Sequence, residues 1–220
     1  MIIAIDGPAG AGKSTVAKII AQKLGFFYID TGAIYRALTL KAIEEGIDIR
    51  DTTRLIAMAK DTEIELINDQ NGSLKVFLDG RDVTLEIRQP RITKLVSDIS
   101  KIREIREIML GLQRKLGSTR DSVLDGRDIG TVVFPEAEKK FYLDAQFQER
   151  VYRRYRELRQ LSQDVTLESV EDDLRNRDSI DSSREFAPLK KADDAIYIDT
   201  THMSIDEVVS KVTEHIQKAK

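Results

Sequence analysis

Residues Gly7, Pro8, Ala9, Gly10, Ala11, Gly12, Lys13 and Ser14 form an uninterrupted G-x-x-x-x-G-K-S, with Thr15 following. The chemistry this spacing supports is the capture of a phosphate chain. Glycines let the backbone turn its N–H groups inward onto phosphate oxygens, and a helix N-terminus adds partial positive charge. Lys13 is placed to reach the β- and γ-phosphates of a nucleoside triphosphate, and the Ser14 hydroxyl to reach Mg²⁺. An ordinary glycine-rich turn needs neither the lysine nor the serine.

Three further sets of residues bear charge where a second substrate would need it. Asp30-Thr31-Gly32-Ala33-Ile34-Tyr35-Arg36 leads from an apolar run into a helical pattern. Arg36 there can make paired hydrogen bonds to a phosphate, and Tyr35 can form an aromatic wall. Asp125-Gly126-Arg127-Asp128 reads as a turn after a short strand and sets a cation beside carboxylates. Arg150, Arg153 and Arg154 share one helix face by their spacing. Taken alone that face reads as a solvated one, paired with Glu149 and Glu157. Its functional reading is a mobile lid whose arginines close over a triphosphate, stabilise the moving charge and exclude water.

The elements that must hold these residues follow from periodicity. Ile2 to Ile5 reads as a buried strand and Thr15 to Leu24 as a helix capped by Gly25. Phe26 to Ile29 reads as a second strand, and Ala33 to Glu45 as a second helix closed by Gly46. Such an opening predicts a parallel α/β sheet, with ligands beyond the C-terminal strand ends. Glu63 to Ile67 and Leu74 to Leu78, separated by Asn71-Gly72, predict an inserted hairpin. Asp79-Gly80 predicts another turn, before a short segment near Val83. Two helices are expected between Arg91 and Leu116, with strands at Ser122 to Leu124, Lys140 to Leu143 and Ala195 to Ile198. Helices are expected at 147–161 and from Leu167 to Arg177. Ser204 and Glu207 fit a capping box opening a last helix.

Composition narrows the classes. The 220 residues carry 35 basic and 38 acidic side chains, a net charge of −3, which argues against a dedicated nucleic-acid binder. There is no cysteine and there are only two histidines, His202 and His215, so thiolate and multi-histidine metal sites are not expected. No run approaches the roughly 18 apolar residues of a membrane span. The expectation is a cytoplasmic monomer with no nucleic-acid or membrane partner. GTP switches carry N-K-x-D and ABC-type ATPases L-S-G-G, and both are absent. Asp69-Gln70-Asn71-Gly72 formally fits a switch D-x-x-G but falls in the hairpin. A small-molecule kinase remains. A nucleotide-dependent switch or RNA-associated ATPase is the rival from another class.

Four stretches, I-D-G-P-A-G-A-G-K-S-T at 5–15, D-T-G-A-I-Y-R at 30–36, D-G-R-D-I-G-T-V-V-F-P at 125–135 and R-E-F-A-P-L at 184–189, resemble the bacterial cytidylate kinases of the nucleoside-monophosphate kinase family. The hairpin insert also resembles their enlarged monophosphate-binding region. The resemblance implies a three-layer α/β P-loop kinase fold with a parallel central sheet, an enlarged acceptor-binding insert and a short lid. It implies a core of 1–30, 104–146 and 166–220, an acceptor region of 31–103 and a lid of 147–165. The implied reaction is transfer of the ATP γ-phosphoryl group to CMP or dCMP with Mg²⁺. By the family pattern Thr31, Arg36 and Arg127 hold the acceptor phosphate, with Tyr35 beside them. Ser97, Arg106 and Asp128 read the cytosine edge. Arg177, Asp181 and Arg184 hold the sugar and help close the site. Lys13, Arg127, Arg150, Arg154 and Arg177 form the expected catalytic set, and Ser14 the metal contact, partly through water. Several relatives carry extra arginines where this chain has Ser179-Ile180-Asp181-Ser182-Ser183, so no further phosphate contact is expected from that segment. Backbone near Thr200 and Thr201 is the expected adenine contact.

Overall fold

The computed structural model describes residues 1–69, 72–160 and 163–217. Five parallel strands form the central sheet: β1 (Ile2–Asp6), β2 (Phe27–Asp30), β6 (Ser122–Gly126), β7 (Lys139–Asp144) and β8 (Ile196–Asp199), in the order β2-β6-β1-β7-β8. β1 lies at the centre and is buried on both faces from Ile3 onward, which is why it reads as a continuous apolar run rather than an alternating one. Helices α1 (Lys13–Leu24) and α8 (Ile205–Gln217) pack together, as do α2 (Thr31–Glu44), α4 (Pro90–Ser100) and α5 (Arg103–Gly117). Both groups join the sheet in one apolar core, giving the three-layer α/β arrangement expected from the sequence.

The local signals act as their chemistry requires. Gly12 and Gly25 bracket α1 in left-handed conformations, φ 88° and 71°, where a Cβ would be strained. Asp30 caps α2 by accepting from Ala33 N–H, so the helix begins two residues before the expected Ala33. Ser204 and Glu207 form the capping box of α8. The hairpin of β3 (Ile64–Asn68) and β4 (Leu74–Leu78) is antiparallel and continues through Asp79-Gly80, both at positive φ, into β5 (Arg81–Asp82). The Asn71 half of its first turn lies outside the described residues. The insert is tied to the core edge by Asn68, whose amide accepts from Tyr28 N–H and donates to Tyr28 C=O.

Three features depart from expectation. Helix α3 (Thr52–Lys60), capped by Asp51, was not anticipated; it is short, opens on two β-branched threonines and buries only Leu55, Met58 and Ala59. Asp125 and Gly126 belong to β6 rather than to a turn, and Ile129–Val133 forms a π-helical turn. Helix α7 (Leu167–Ser183) runs six residues past Arg177, which sets Arg177 and Asp181 one turn apart on one helix, with Arg184 as its C-terminal cap. Helix α6 (Phe147–Gln160) and α7 share a satellite core of Val151, Val170 and Leu174 that meets the phosphate loop only at Ala9.

Candidate active site

A cleft of about 1190 Å³ runs along the C-terminal ends of β1, β2 and β6. Its walls are the phosphate loop, α2, α4, α6, α7 and the loop after β8. On one side, Ala9 to Thr15 line it. Gly7 and Pro8 shape the loop from behind. A Cβ on Gly7 would lie 1.9 Å from Leu143 O, so β7 and the loop can approach this closely only with glycine there. Lys13 is buried and donates from Nζ to Pro8 O at 2.7 Å. Burial, then the nearby Arg127 charge, holds its ammonium well below the usual lysine range, so an anionic ligand would be its strongest available partner.

The other side gathers the second set of cations. Thr31, Tyr35, Arg36, Ser97 and Arg106 line the cleft from α2, α4 and α5, and Arg127 and Asp128 line it from the segment after β6. Arg177, Asp181 and Arg184 complete it from α7. Most of these arginines are held by a carboxylate. Asp30 binds Arg36 at 2.7 Å, Asp128 binds Arg106 at 2.7 Å, and Asp181 binds Arg127 at 2.8 Å and Arg184 at 3.3 Å. Burial would raise the Asp181 carboxyl, but Arg127, Arg184 and Arg177 outweigh it and hold it below the usual range. Arg177 is engaged by no hydrogen bond or ion pair among the described residues; burial and the Arg127 charge push it down to about 10. Donor capacity is left over. Arg36 Nε, Arg106 Nε, and Arg184 Nε and Nη2 are buried without a hydrogen-bond partner, and each such donor costs ~1–3 kcal/mol unless a ligand satisfies it.

The expected lid arginines separate. Arg154 lines the cleft and pairs with Glu157. Arg150 does not face the cleft. It is buried behind the phosphate loop, donating to Ala9 O at 3.0 Å, Ala145 O at 3.1 Å and Asp178 at 2.5 Å. Arg153 donates to Thr200 O at 2.6 Å and Thr200 Oγ1 at 2.9 Å, joining α6 to the loop after β8. That loop supplies the Thr200-to-Ser204 wall, including His202.

Sequence reasoning also passed over Asp125 as a site residue. Its carboxylate accepts from Ser14 Oγ at 2.7 Å and from the Tyr28 hydroxyl at 2.8 Å. Burial, then the neighbouring Asp30 charge, pushes it up to about 6. Its signal was positional: the last polar residue of an apolar strand that pairs directly with β1, at the strand ends where α/β folds bind ligands. Ser14 and Asp125 make a hard-oxygen pair that suits Mg²⁺, which takes one or two protein oxygens and completes its shell with phosphates and water. Among the described residues there is no cluster of three or more histidine, cysteine or carboxylate side chains able to hold a metal alone, and no helix long and apolar enough to cross a membrane.

A cytidylate kinase of Caldanaerobacter subterraneus subsp. tengcongensis is 50% identical over 216 residues, 98% of this chain and 94% of that protein. One of Bacillus pumilus is 51% identical over 212 residues, covering 96% and 94%. A crystal structure of an uncharacterized Eubacterium ventriosum protein superposes with a TM-score of 0.53 at 13% identity, covering 99% of both chains, a likeness of fold. The family model described as cytidylate kinase matches residues 3–218, and the chain belongs to the cytidylate kinase family.

Proposed function

We propose that the cleft binds ATP and CMP or dCMP together and moves the γ-phosphoryl group between them, releasing ADP and CDP or dCDP. The observation that carries the reading is the opposed pair of anion sites. A phosphate loop with a buried lysine faces a cluster of arginines whose buried donors are not all satisfied. A hydrolase would need only the first.

Thr31, Arg36 and Arg127 are read as holding the acceptor phosphate. Ser97, Arg106 and Asp128 read the base: cytosine offers an N4 amino donor to a carboxylate and acceptors at O2 and N3 to serine and arginine. Uracil turns a carbonyl towards that carboxylate, and one unpaired buried polar group costs ~1–3 kcal/mol, or about ten- to a hundredfold in selectivity. Asp181 and Arg184 hold the sugar. An oxygen of the acceptor phosphate, already anionic, attacks the γ-phosphorus as the bond to the β–γ bridging oxygen of ADP breaks. No general base is required, and the protein's contribution is alignment and charge. Lys13, Arg154 and Arg177 are placed to meet the moving charge. Arg150 acts through the phosphate loop that it props. Mg²⁺ bound at Ser14 and Asp125 would neutralise charge across the β- and γ-phosphates.

Residues 31–103 form the acceptor region in this reading, 147–165 the lid, and 1–30, 104–146 and 166–220 the core. Val151 joins the lid to Val170 and Leu174 of the core in a small cluster separate from the main apolar core. Closure with both substrates present limits wasteful hydrolysis. The working form is a cytoplasmic monomer. A coupled assay tests the whole reading: ADP should form only with CMP or dCMP present, and EDTA should stop it. Equal or faster turnover of UMP, AMP or shikimate refutes the acceptor assignment. ADP release without any acceptor refutes the transferase reading.

A further inference from the structure

We infer that Asp6 is a specificity-positioning residue that caps the turn after Asp128 from a distance and so frees Asp128 to face the acceptor. The inference rests on the reading of Asp128 as the cytosine-edge carboxylate.

Asp128 is the N-terminal cap of the π-helical turn Ile129–Val133. Aspartate at such a position ordinarily folds its carboxylate back onto the first free N–H groups of its own turn. Here it makes no such bond. Its Oδ2 is instead 2.7 Å from Arg106 Nη2. The free N–H groups are satisfied by another residue: Ile129 N–H donates to Asp6 Oδ1 at 2.8 Å and Gly130 N–H to Asp6 Oδ2 at 2.7 Å. Asp6 is 4% exposed and sits at the end of β1, paired in register with Gly126 and followed at once by the phosphate loop.

The division of labour has a physical cost that argues for a purpose. A carboxylate as buried as Asp6 is expensive to ionise; burial, partly offset by the two N–H bonds, pushes it up to about 7. Capping by Asp128 itself would need no second buried acid. It would also turn the Asp128 carboxylate away from Arg106 and out of the cleft. One side chain on β1 thus fixes the segment Arg127-Asp128 relative to the donor loop that begins at Gly7.

Without Asp6, the N–H groups of Ile129 and Gly130 need a new acceptor, and Asp128 is the nearest by sequence. Asp6→Asn, Asp128→Asn and the double variant are compared by kcat/KM for CMP and for UMP, with ADP affinity measured by calorimetry. Asp6→Asn is expected to lower the CMP-to-UMP ratio at least tenfold. ADP affinity should change less than threefold. The double variant should be no less selective than Asp128→Asn alone, a non-additive cycle. A ratio unchanged in Asp6→Asn but lowered in Asp128→Asn overturns the inference and leaves the Asp128 reading standing. Additive losses also overturn it, because they make Asp6 independent of Asp128. A ratio unchanged in Asp128→Asn overturns both. If Asp6→Asn does not fold, Asp6→Ser, which keeps one short acceptor, is read against the same ratio and the same outcomes.

Discussion

Among the described residues Asp181 is the sole carboxylate in direct contact with Arg127 and Arg184, and its charge also acts on Arg177. Asp181→Asn keeps the shape and removes the charge, leaving three guanidiniums crowded in the cleft wall. At an effective dielectric of 20 a contact such as Arg127–Asp181, 2.8 Å long, gains about 6 kcal/mol by Coulomb's law. Desolvation of the pair returns much of that, so losing one buried partner is expected to cost about 3 kcal/mol. For a chain of this size, 1 kcal/mol shifts Tm by about 2–4 °C, so a fall of roughly 6–12 °C is expected by calorimetry without ligand. Inorganic phosphate should then recover more Tm in the variant than in the wild type, because it returns negative charge to cations that have lost theirs. An unchanged Tm, or equal phosphate shifts in both proteins, would refute the claim that Asp181 holds this cluster together.

Two further outcomes follow from buried groups. Asp6 has its carboxyl pushed up to about 7, above the ordinary unfolded value, so its neutral form stabilises the fold at low pH and that gain is lost as pH rises through 7. The shift corresponds to about 4 kcal/mol; urea midpoints at pH 5 and pH 8 should therefore differ by less, in that direction, in Asp6→Asn than in the wild type. Groups held low, such as Asp181, contribute the opposite slope, and comparison with the variant subtracts them. Arg150→Met removes the donors to Ala9 O and Asp178. Charged hydrogen bonds of this kind contribute about 1.5–3 kcal/mol, so KM for ATP should rise roughly ten- to a hundredfold while KM for CMP moves much less; equal changes in both would mean that Arg150 does more than prop the loop.

What the sequence could reveal divides by range. The phosphate loop, the capping box at Ser204 and the Asp79-Gly80 turn were legible because each signal and its consequence lie within a few residues. The charged face of α6 was legible as a face, but its neighbours were not. Helical spacing sets Arg150, Arg153 and Arg154 side by side, yet it is the packing of α6 against Ala9 that turns Arg150 behind the phosphate loop, while Arg153, tied to Thr200, and Arg154 stay on the cleft. Asp125 was hidden for the opposite reason. A D-G-R-D string reads as a turn, and only pairing with β1 shows that its first two residues finish a strand. Asp6 could not be found locally at all, since its partners lie 123 and 124 residues away.

The pairing of arginines with carboxylates also reconciles the site with the charge of the chain. A net charge of −3 gives little long-range attraction for an anionic nucleotide, and at physiological ionic strength fields fade within about 8 Å. Attraction must therefore be local. Unpaired, the cations of this cleft wall would repel one another; Arg177, in contact with no carboxylate among the described residues, is held low first by burial and then by the Arg127 charge. Asp30, Asp128 and Asp181 fix the arginines at defined angles before any substrate arrives, yet buried donors on Arg36, Arg106 and Arg184 still lack partners. An acceptor phosphate and base that satisfied those donors would recover free energy already spent in folding. Because the carboxylates hold those donors at fixed angles, the gain is largest for a ligand whose acceptors match their geometry, so a cleft built mostly from ion pairs favours shape as well as charge.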